Sequence, residues 1–253
     1  PLKGVSLFAT YAEGYRAPAI TETLMSGIHP APAEFKLLPN PNLRPEVARN
    51  LEGGVNFKYD NIVSSQDSFR AKLVVFRNKV NDYIDMIAVD DPEDPDCGDT
   101  CPRMYANIAN ATIDGVEFEA IYDARSWFLG LGAHRIRGEN ADTGAPLATI
   151  PADQVTLTFG MRAFDEKLVA GTRMRFVASQ DRVPLEEDGD PLVDPSDGYG
   201  IVDLFAHYAL NENTILNVNI DNLFDKEYRQ YRDAENSPGF SARVGLTMRL
   251  GVQ

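Results

Sequence analysis

The segment NLEGGVNFKY, residues 50–59, decides the fold. Leu51, Gly53, Val55, Phe57 and Tyr59 fall on one side of an extended chain, and Asn50, Glu52, Gly54, Asn56 and Lys58 on the other. A period of two is the mark of a strand with one apolar and one polar face. The same alternation closes the chain, where Phe240, Ala242, Val244, Leu246, Met248 and Leu250 interleave with Ser241, Arg243, Gly245, Thr247 and Arg249. Extended outward, the pattern predicts about ten strands, near residues 3–13, 47–60, 67–89, 104–123, 126–138, 152–165, 167–180, 198–211, 213–222 and 239–250, and no helix of consequence.

The connections turn these strands into an architecture. Short turns at DARS (123–126), FDEK (164–167) and LNEN (210–213) alternate with long Pro-, Gly- and Asp-rich loops near 14–46, 90–103, 139–151, 181–197 and 223–238. All the long loops then leave at one end. Glu117 and Glu119 lie opposite Val116, Phe118 and Tyr122, and Arg173 and Arg175 opposite Thr172, Met174 and Phe176. Short turns at one end, long loops at the other, apolar faces outside and charges inside describe an all-β, antiparallel transmembrane β-barrel. Tyr11, Tyr59, Tyr122, Trp127 and Tyr208 near strand ends support this over a soluble antiparallel sandwich, in which the apolar face would turn inward. Unpaired first and last strands would leave polar edges in lipid, so the ten strands either close on themselves or are joined by others. The abrupt start at Pro1 favours others.

Composition sets further bounds. No run approaches the roughly 20 apolar residues of a spanning helix, so a membrane role falls to strands. A formal net charge of -14 argues against a nucleic-acid partner. The acid collects in DDPEDPDCGDT (90–100) and PLEEDGDPLVDPSDG (184–198), which read as solvated loops with cation sites as the alternative, solvation being favoured because neither has a calcium-loop spacing. Cys97 and Cys101 are the only cysteines, and with no His nearby they make a poor zinc site. A small disulfide clip in an oxidising compartment is the better reading, with a reduced pair as the alternative.

Residues 15–46 are the longest connection, running from YRAP (15–18) to NPNLRPE (40–46), with His29 between. Ordered loops of this length are seldom without function, so a ligand is expected here.

YRAP followed by NPNLRPE resembles the paired FRAP and NPNL boxes of TonB-dependent outer-membrane receptors, in the branch that takes up haem. NLFDKEY (222–228) resembles the C-terminal box of these receptors, and NIANATIDGVEFEA (107–120) one of their barrel strands. The resemblance implies that residues 1–253 are the C-terminal part of a larger, plugged barrel of about 22 strands. The plug, the TonB-engaging segment and the N-terminal strands would lie outside this chain. It implies a bacterial outer-membrane receptor that takes haem directly or from a carrier, haemophore or haemoglobin, and imports it with energy from the TonB complex. Such a protein is not an enzyme.

The resemblance makes His29 the axial ligand of the haem iron, and neutral imidazole suits that task. TETLMSGIHP (21–30) further resembles the haemophore-receptor type. Ile28, Pro30, Pro32 and Phe35 would face the macrocycle, and flanking prolines would hold the loop extended. Arg16 is either a propionate contact or an ion pair fixing the loop to the wall. His134 is a candidate second ligand or relay, and His207 a satisfied interior residue. Leu250, Gly251, Val252 and Gln253 stand where the family ends on an aromatic residue. The competing readings are a receptor for a ferric siderophore or other nutrient, a soluble β-rich interaction domain, and a closed ten-stranded surface protease. The evident Asp203 and His207 pair lies at the wrong end for the last.

Overall fold

The computed structural model describes residues 2–29, 35–91, 101–185 and 189–250. In chain order these form β1 (Val5–Arg16), α1 (Ile20–Thr23), β2 (Gly27–Ile28), β3 (Lys36–Leu38), β4 (Glu46–Asp60), β5 (Ser68–Ala88), β6 (Arg103–Asp123), β7 (Trp127–Asn140), β8 (Gln154–Ala163), β9 (Leu168–Val177), β10 (Tyr199–Asn211), β11 (Thr214–Asp221) and β12 (Ser241–Met248). The ten long strands are one antiparallel sheet in the order β1-β4-β5-β6-β7-β8-β9-β10-β11-β12. Each expected strand is present. The main shifts are at β1, which continues to Arg16 because Arg16 still pairs with Glu46, and at β9, which stops at Val177.

Side chains sort by face as the alternation requires. Across one register row Tyr59, Phe69, Tyr122, Leu129 and Phe159 lie side by side, and two rows up so do Val55, Leu73, Phe118, Ala133 and Val155. The reverse face carries Lys72, Glu119, Thr156, Arg175 and Asp203. Apolar outside and charged inside is the barrel arrangement. Trp127 tilts against Tyr122 and Phe159, and Phe164 meets Tyr208 edge-on, forming an aromatic girdle at the short-turn end. On β4 the outward apolar run extends from Tyr59 to Leu51, and the outward ion pair Arg77–Asp114 (2.6 Å) borders it above.

The inner wall repeats one packing device. Phe8, Phe76, Phe128 and Phe205 each stand directly across from a glycine, respectively Gly54, Gly115, Gly160 and Gly171. A Cβ at any of these glycines would come within 2.2–2.6 Å of a ring carbon, so each ring lies flat over its glycine. The ring covers the backbone that the missing side chain leaves bare. Lys72 and Arg162 add cations over the Phe8 and Phe128 rings.

The sequence leads one to expect a charged interior, but the interior is not charged throughout. At the long-loop end the connection 141–153 folds inward, and Leu147 and Ile150 pack on Val80 and Ala111 with Ala48 and Ile136 beside them. This small apolar core forms where the wall rises above the membrane band and its own loops must be supported. At the other end residues 61–67 form a fourth turn. Asp67 is buried, and its carboxylate accepts from the Ile62, Val63 and Ser64 amides and the Tyr122 hydroxyl.

Candidate functional site

The connection between β1 and β4 is neither structureless nor simply extended. Arg16, the last residue of β1, donates to Glu46 from Nε (2.6 Å) and Nη2 (2.8 Å), and to both Glu22 oxygens from Nη1 (2.8 and 2.9 Å). Glu46 opens β4, so one guanidinium joins both ends of the loop to the first turn of α1. Those carboxylates, Glu46 first, hold the Arg16 guanidinium firmly protonated. Glu46 also accepts from the Ile84 amide at 2.8 Å. Of the two readings of Arg16, the ion pair is the one the geometry shows. Glu22 further reaches back to the Ala19 amide (2.7 Å), half of a capping box, since Ala19 has no side-chain acceptor to return it.

Beyond α1, β2 and β3 form a hairpin paired at Gly27–Leu37 and Ile28–Lys36. The His29 amide donates to the Phe35 carbonyl at 2.8 Å, placing His29 at the mouth of the hairpin tip. Its imidazole stacks on the Phe35 ring, centroids 4.6 Å apart and planes 13° from parallel. Phe35 is 5% exposed, and Arg103 lies over its ring at 4.5 Å. Phe35 is therefore a packed support for His29, not a surface offered to solvent. Ile28 is exposed, while Pro30 and Pro32 lie outside the described residues.

A strap along β6 holds the hairpin. β3 runs parallel to the upper end of β6, Leu37 beside Arg103 and Leu38 beside Met104. Asn40 donates to the Tyr105 carbonyl (2.9 Å), and its Oδ1 accepts from the Asn42 amide. The expected turn former is thus also an anchor. Asn107 accepts from the Arg44 amide (2.7 Å) and donates to the Arg44 and Asp82 carbonyls. Arg103 donates to the Leu192 carbonyl, tying in the loop between β9 and β10.

Beside the strap lies a cavity of about 270 Å³, lined by Arg16, Glu22, Glu46, Tyr83, Asp85, Tyr105 and Arg232 among others. Asp85 is 9% exposed, on the part of β5 that rises above the apolar band. Burial pushes its carboxyl up, against the lowering effect of the Met86 amide and the Arg232 charge. Arg232 comes from the connection between β11 and β12, positioned by the bond from the Tyr231 hydroxyl to the Ala148 carbonyl (2.8 Å).

The other histidines stay apart from this site. His134 faces inward between Glu117 and Gln154, in the wall beneath the Leu147–Ile150 core, and is not brought to the hairpin. His207, expected as a satisfied interior residue, is on the lumen-facing side of β10 but exposed, and its Nδ1 shares a 2.7 Å hydrogen bond with Asn217 Oδ1. Cys101 is not a free thiol, while its expected partner Cys97 lies outside the described residues, as does most of the first acidic loop. Among the described residues no group of acidic, His or Cys side chains is arranged to hold a metal ion.

An antiparallel sheet that is apolar outside, charged inside and looped at one end defines an outer-membrane-type barrel wall. The family described as TonB dependent receptor-like, beta-barrel matches residues 1–223, and the chain belongs to it. Its barrels are receptor-transporters of the bacterial outer membrane, and that is where this wall resides. The chain is 30% identical over 246 residues to heme/hemopexin utilization protein C of Haemophilus influenzae (strain 86-028NP), covering 93% of this chain and 34% of that protein. It is 28% identical to the hemin receptor of Yersinia enterocolitica, over 90% of this chain and 34% of that protein. A solved structure of the Serratia marcescens hemophore receptor HasR, a double mutant in complex with its hemophore HasA and heme, superposes with TM-score 0.72 at 26% identity, covering 98% of this chain and 38% of that one. The chain thus spans about a third of the length of the relatives it matches.

Proposed function

We propose that this chain is the C-terminal part of an outer-membrane receptor that captures haem, directly or from a haem carrier protein, and imports it with energy from the TonB complex. In this reading the plug, the TonB-engaging segment and the remaining strands belong to the rest of the receptor. His29 supplies an axial ligand to the haem iron. The cargo follows the relatives, named for heme and hemin. The observation that carries the role of His29 is its placement at the mouth of a hairpin tip, its ring plane set by Phe35 and its hairpin strapped to β6. A ligand whose support is rigid before binding loses less entropy on coordinating iron.

Arg16 acts here by keeping the loop in place, because all three guanidinium nitrogens are already engaged. No bond in the cargo is made or broken, so the protein is a transporter and not an enzyme. The Cys97–Cys101 clip would brace the loop between β5 and β6 on the oxidising side of the membrane.

The test is a haem titration of the complete receptor in detergent, following the Soret band in wild type and His29→Ala. A spectrum that loses its low-spin character on substitution supports ligation by His29. Tight binding with an unaltered spectrum would move the iron ligand elsewhere. Absence of haem binding in both proteins would favour a siderophore or other nutrient as cargo.

A further inference from the structure

Behind His29 and its ring support stands a third residue. The His29 imidazole and the Arg103 guanidinium are centred 4.6 and 4.5 Å from the Phe35 ring centroid. Two planar groups cannot share one face of a phenyl ring at that distance, and Phe35 is almost wholly buried, so they take its two faces. Imidazole, phenyl and guanidinium thus form one stack, an arrangement that the flat, delocalised guanidinium favours.

Arg103 is the fixed end of this stack. It is buried, and its backbone lies between Ala88 of β5 on one side and Leu37 of β3 on the other. Its Nη1 donates to the Leu192 carbonyl at 2.8 Å. Leu192 is itself buried in the loop between β9 and β10, where its amide donates to the Pro184 carbonyl at 2.9 Å. One side chain is thus held by its own strand, by both neighbours of that strand and by a loop from across the sheet. A hydrogen bond at one ring nitrogen leaves an imidazole free to turn about that bond, whereas a stacked face fixes its tilt as well.

We infer that Arg103 is the positioning residue of His29: acting through Phe35, it sets the plane in which the imidazole meets the haem iron. The inference deepens the haem reading and rests on it. Arg103 acts at one remove, because the Phe35 ring stands between it and the ligand. Groups that stand behind a ligand histidine orient it, and losing one costs metal affinity even though the ligand itself is intact. The angle of an axial imidazole plane against the porphyrin nitrogens governs how the iron d orbitals split. One fixed plane therefore gives one low-spin electron paramagnetic resonance signal, and a loose ring gives several.

The complete receptor in detergent is loaded with ferric haem and compared as wild type, Arg103→Met, Arg103→Lys and His29→Ala. Methionine keeps a chain over the Phe35 ring but has neither the planar group nor the bond to Leu192. Wild type should give a single sharp low-spin signal. Arg103→Met should remain low-spin but spread over several signals, with haem affinity about tenfold lower. Arg103→Lys, still cationic but not planar, should fall between. In the haem-free receptor, carbethoxylation of His29 by diethyl pyrocarbonate, read by mass spectrometry, should be severalfold faster in Arg103→Met than in wild type. Gel mobility before heating checks that each variant is folded, and if Arg103→Met is not, Arg103→Lys carries the same comparison. A wild-type signal in a folded Arg103 variant, or an unaltered rate of His29 modification, would overturn the inference and leave His29 as the ligand. Retention of the wild-type signal by His29→Ala, or no haem bound by wild type, would overturn the haem reading and this inference with it.

Discussion

Arg16 and Glu46 stand thirty residues apart in sequence and are joined by two hydrogen bonds, of 2.6 and 2.8 Å. The Glu46 side chain is nearly buried and that of Arg16 is about half exposed, so the pair lies between a surface ion pair and a buried one. Removing the guanidinium leaves Glu46 with the Ile84 amide alone and Glu22 with the Ala19 amide. Arg16→Ala is therefore expected to loosen the β1–β4 connection by about 1–2 kcal/mol, well below the loss at a fully buried pair. Amide hydrogen exchange over residues 19–29 should accelerate by roughly tenfold, with exchange in β8 and β9 unaltered. Arg16→Lys, able to hold one carboxylate at a time, should fall between. A uniform acceleration over the whole sheet would mean that Arg16 supports the barrel and not the loop.

Two glycines of the inner wall make opposite predictions. At Gly171 an added Cβ would come 2.2 Å from the Phe159 carbonyl oxygen and 2.8 Å from the Gly160 Cα, which are backbone atoms that cannot swing aside. At Gly132 it would meet nothing within 4 Å. Gly171→Ala should destabilise the folded wall by about 1–3 kcal/mol. Gly132→Ala should lie within about 0.5 kcal/mol of wild type, as an open site allows. Urea unfolding of the complete receptor in lipid vesicles, followed by Trp127 fluorescence, measures both. Equal midpoints for the two variants would show that β8 and β9 can separate enough to admit a methyl group.

Most of the wall could be read from alternation, because in a strand the face of a side chain follows from its parity alone. Leu51 to Tyr59 announced both faces of β4, and the loop asymmetry gave the sheet its direction. Contacts that join distant segments left no such periodic trace. Arg16 looked as much like an anion contact as a clamp, since only folding brings Glu22 and Glu46 to it. Phe35 appeared as available apolar surface, yet β3 pairing with β6 buries it under His29 and Arg103. Asn222 was legible as part of the NLFDKEY box but not in its task. It takes a left-handed conformation, donates to the Lys226 carbonyl and accepts the Lys226 amide, closing the start of the last long loop. The polar asparagines of NIANATIDG were the one available hint that upper β6 holds another segment.

Asp67 gives a pH prediction outside the membrane-spanning strands. Burial alone would raise its carboxyl, but the bonds from the Tyr122 hydroxyl and from the Ser64, Val63 and Ile62 amides outweigh it and hold the group down at about 2. A carboxylate depressed in the folded state stabilises it fully above the unfolded value of about 3.9, and that contribution fades as pH falls through the folded value. Wild type should thus exceed Asp67→Asn in thermal stability at pH 7, and the gap should close between roughly pH 4 and pH 2. A gap that persists undiminished at the acid end would assign the effect to the shape of the turn and not to its charge.

Asn107 tests the strap that positions His29. Its amide group does what no other side chain of that size can, accepting from the Arg44 amide while donating to the Arg44 and Asp82 carbonyls. Asn107→Ala removes all three bonds from a half-buried site that water can partly refill, so a local loss of about 1–3 kcal/mol is expected. Asn107→Asp keeps the acceptor for Arg44 but turns a carboxylate oxygen toward two carbonyls, and it should rescue little. Haem affinity of the complete receptor should fall in both variants, and hydrogen exchange at residues 36–44 should rise together with it. Full recovery by aspartate would reduce the role of Asn107 to its single bond with the Arg44 amide. Unaltered exchange in both variants would leave Asn40 and the β3–β6 pairing as sufficient anchors for the hairpin.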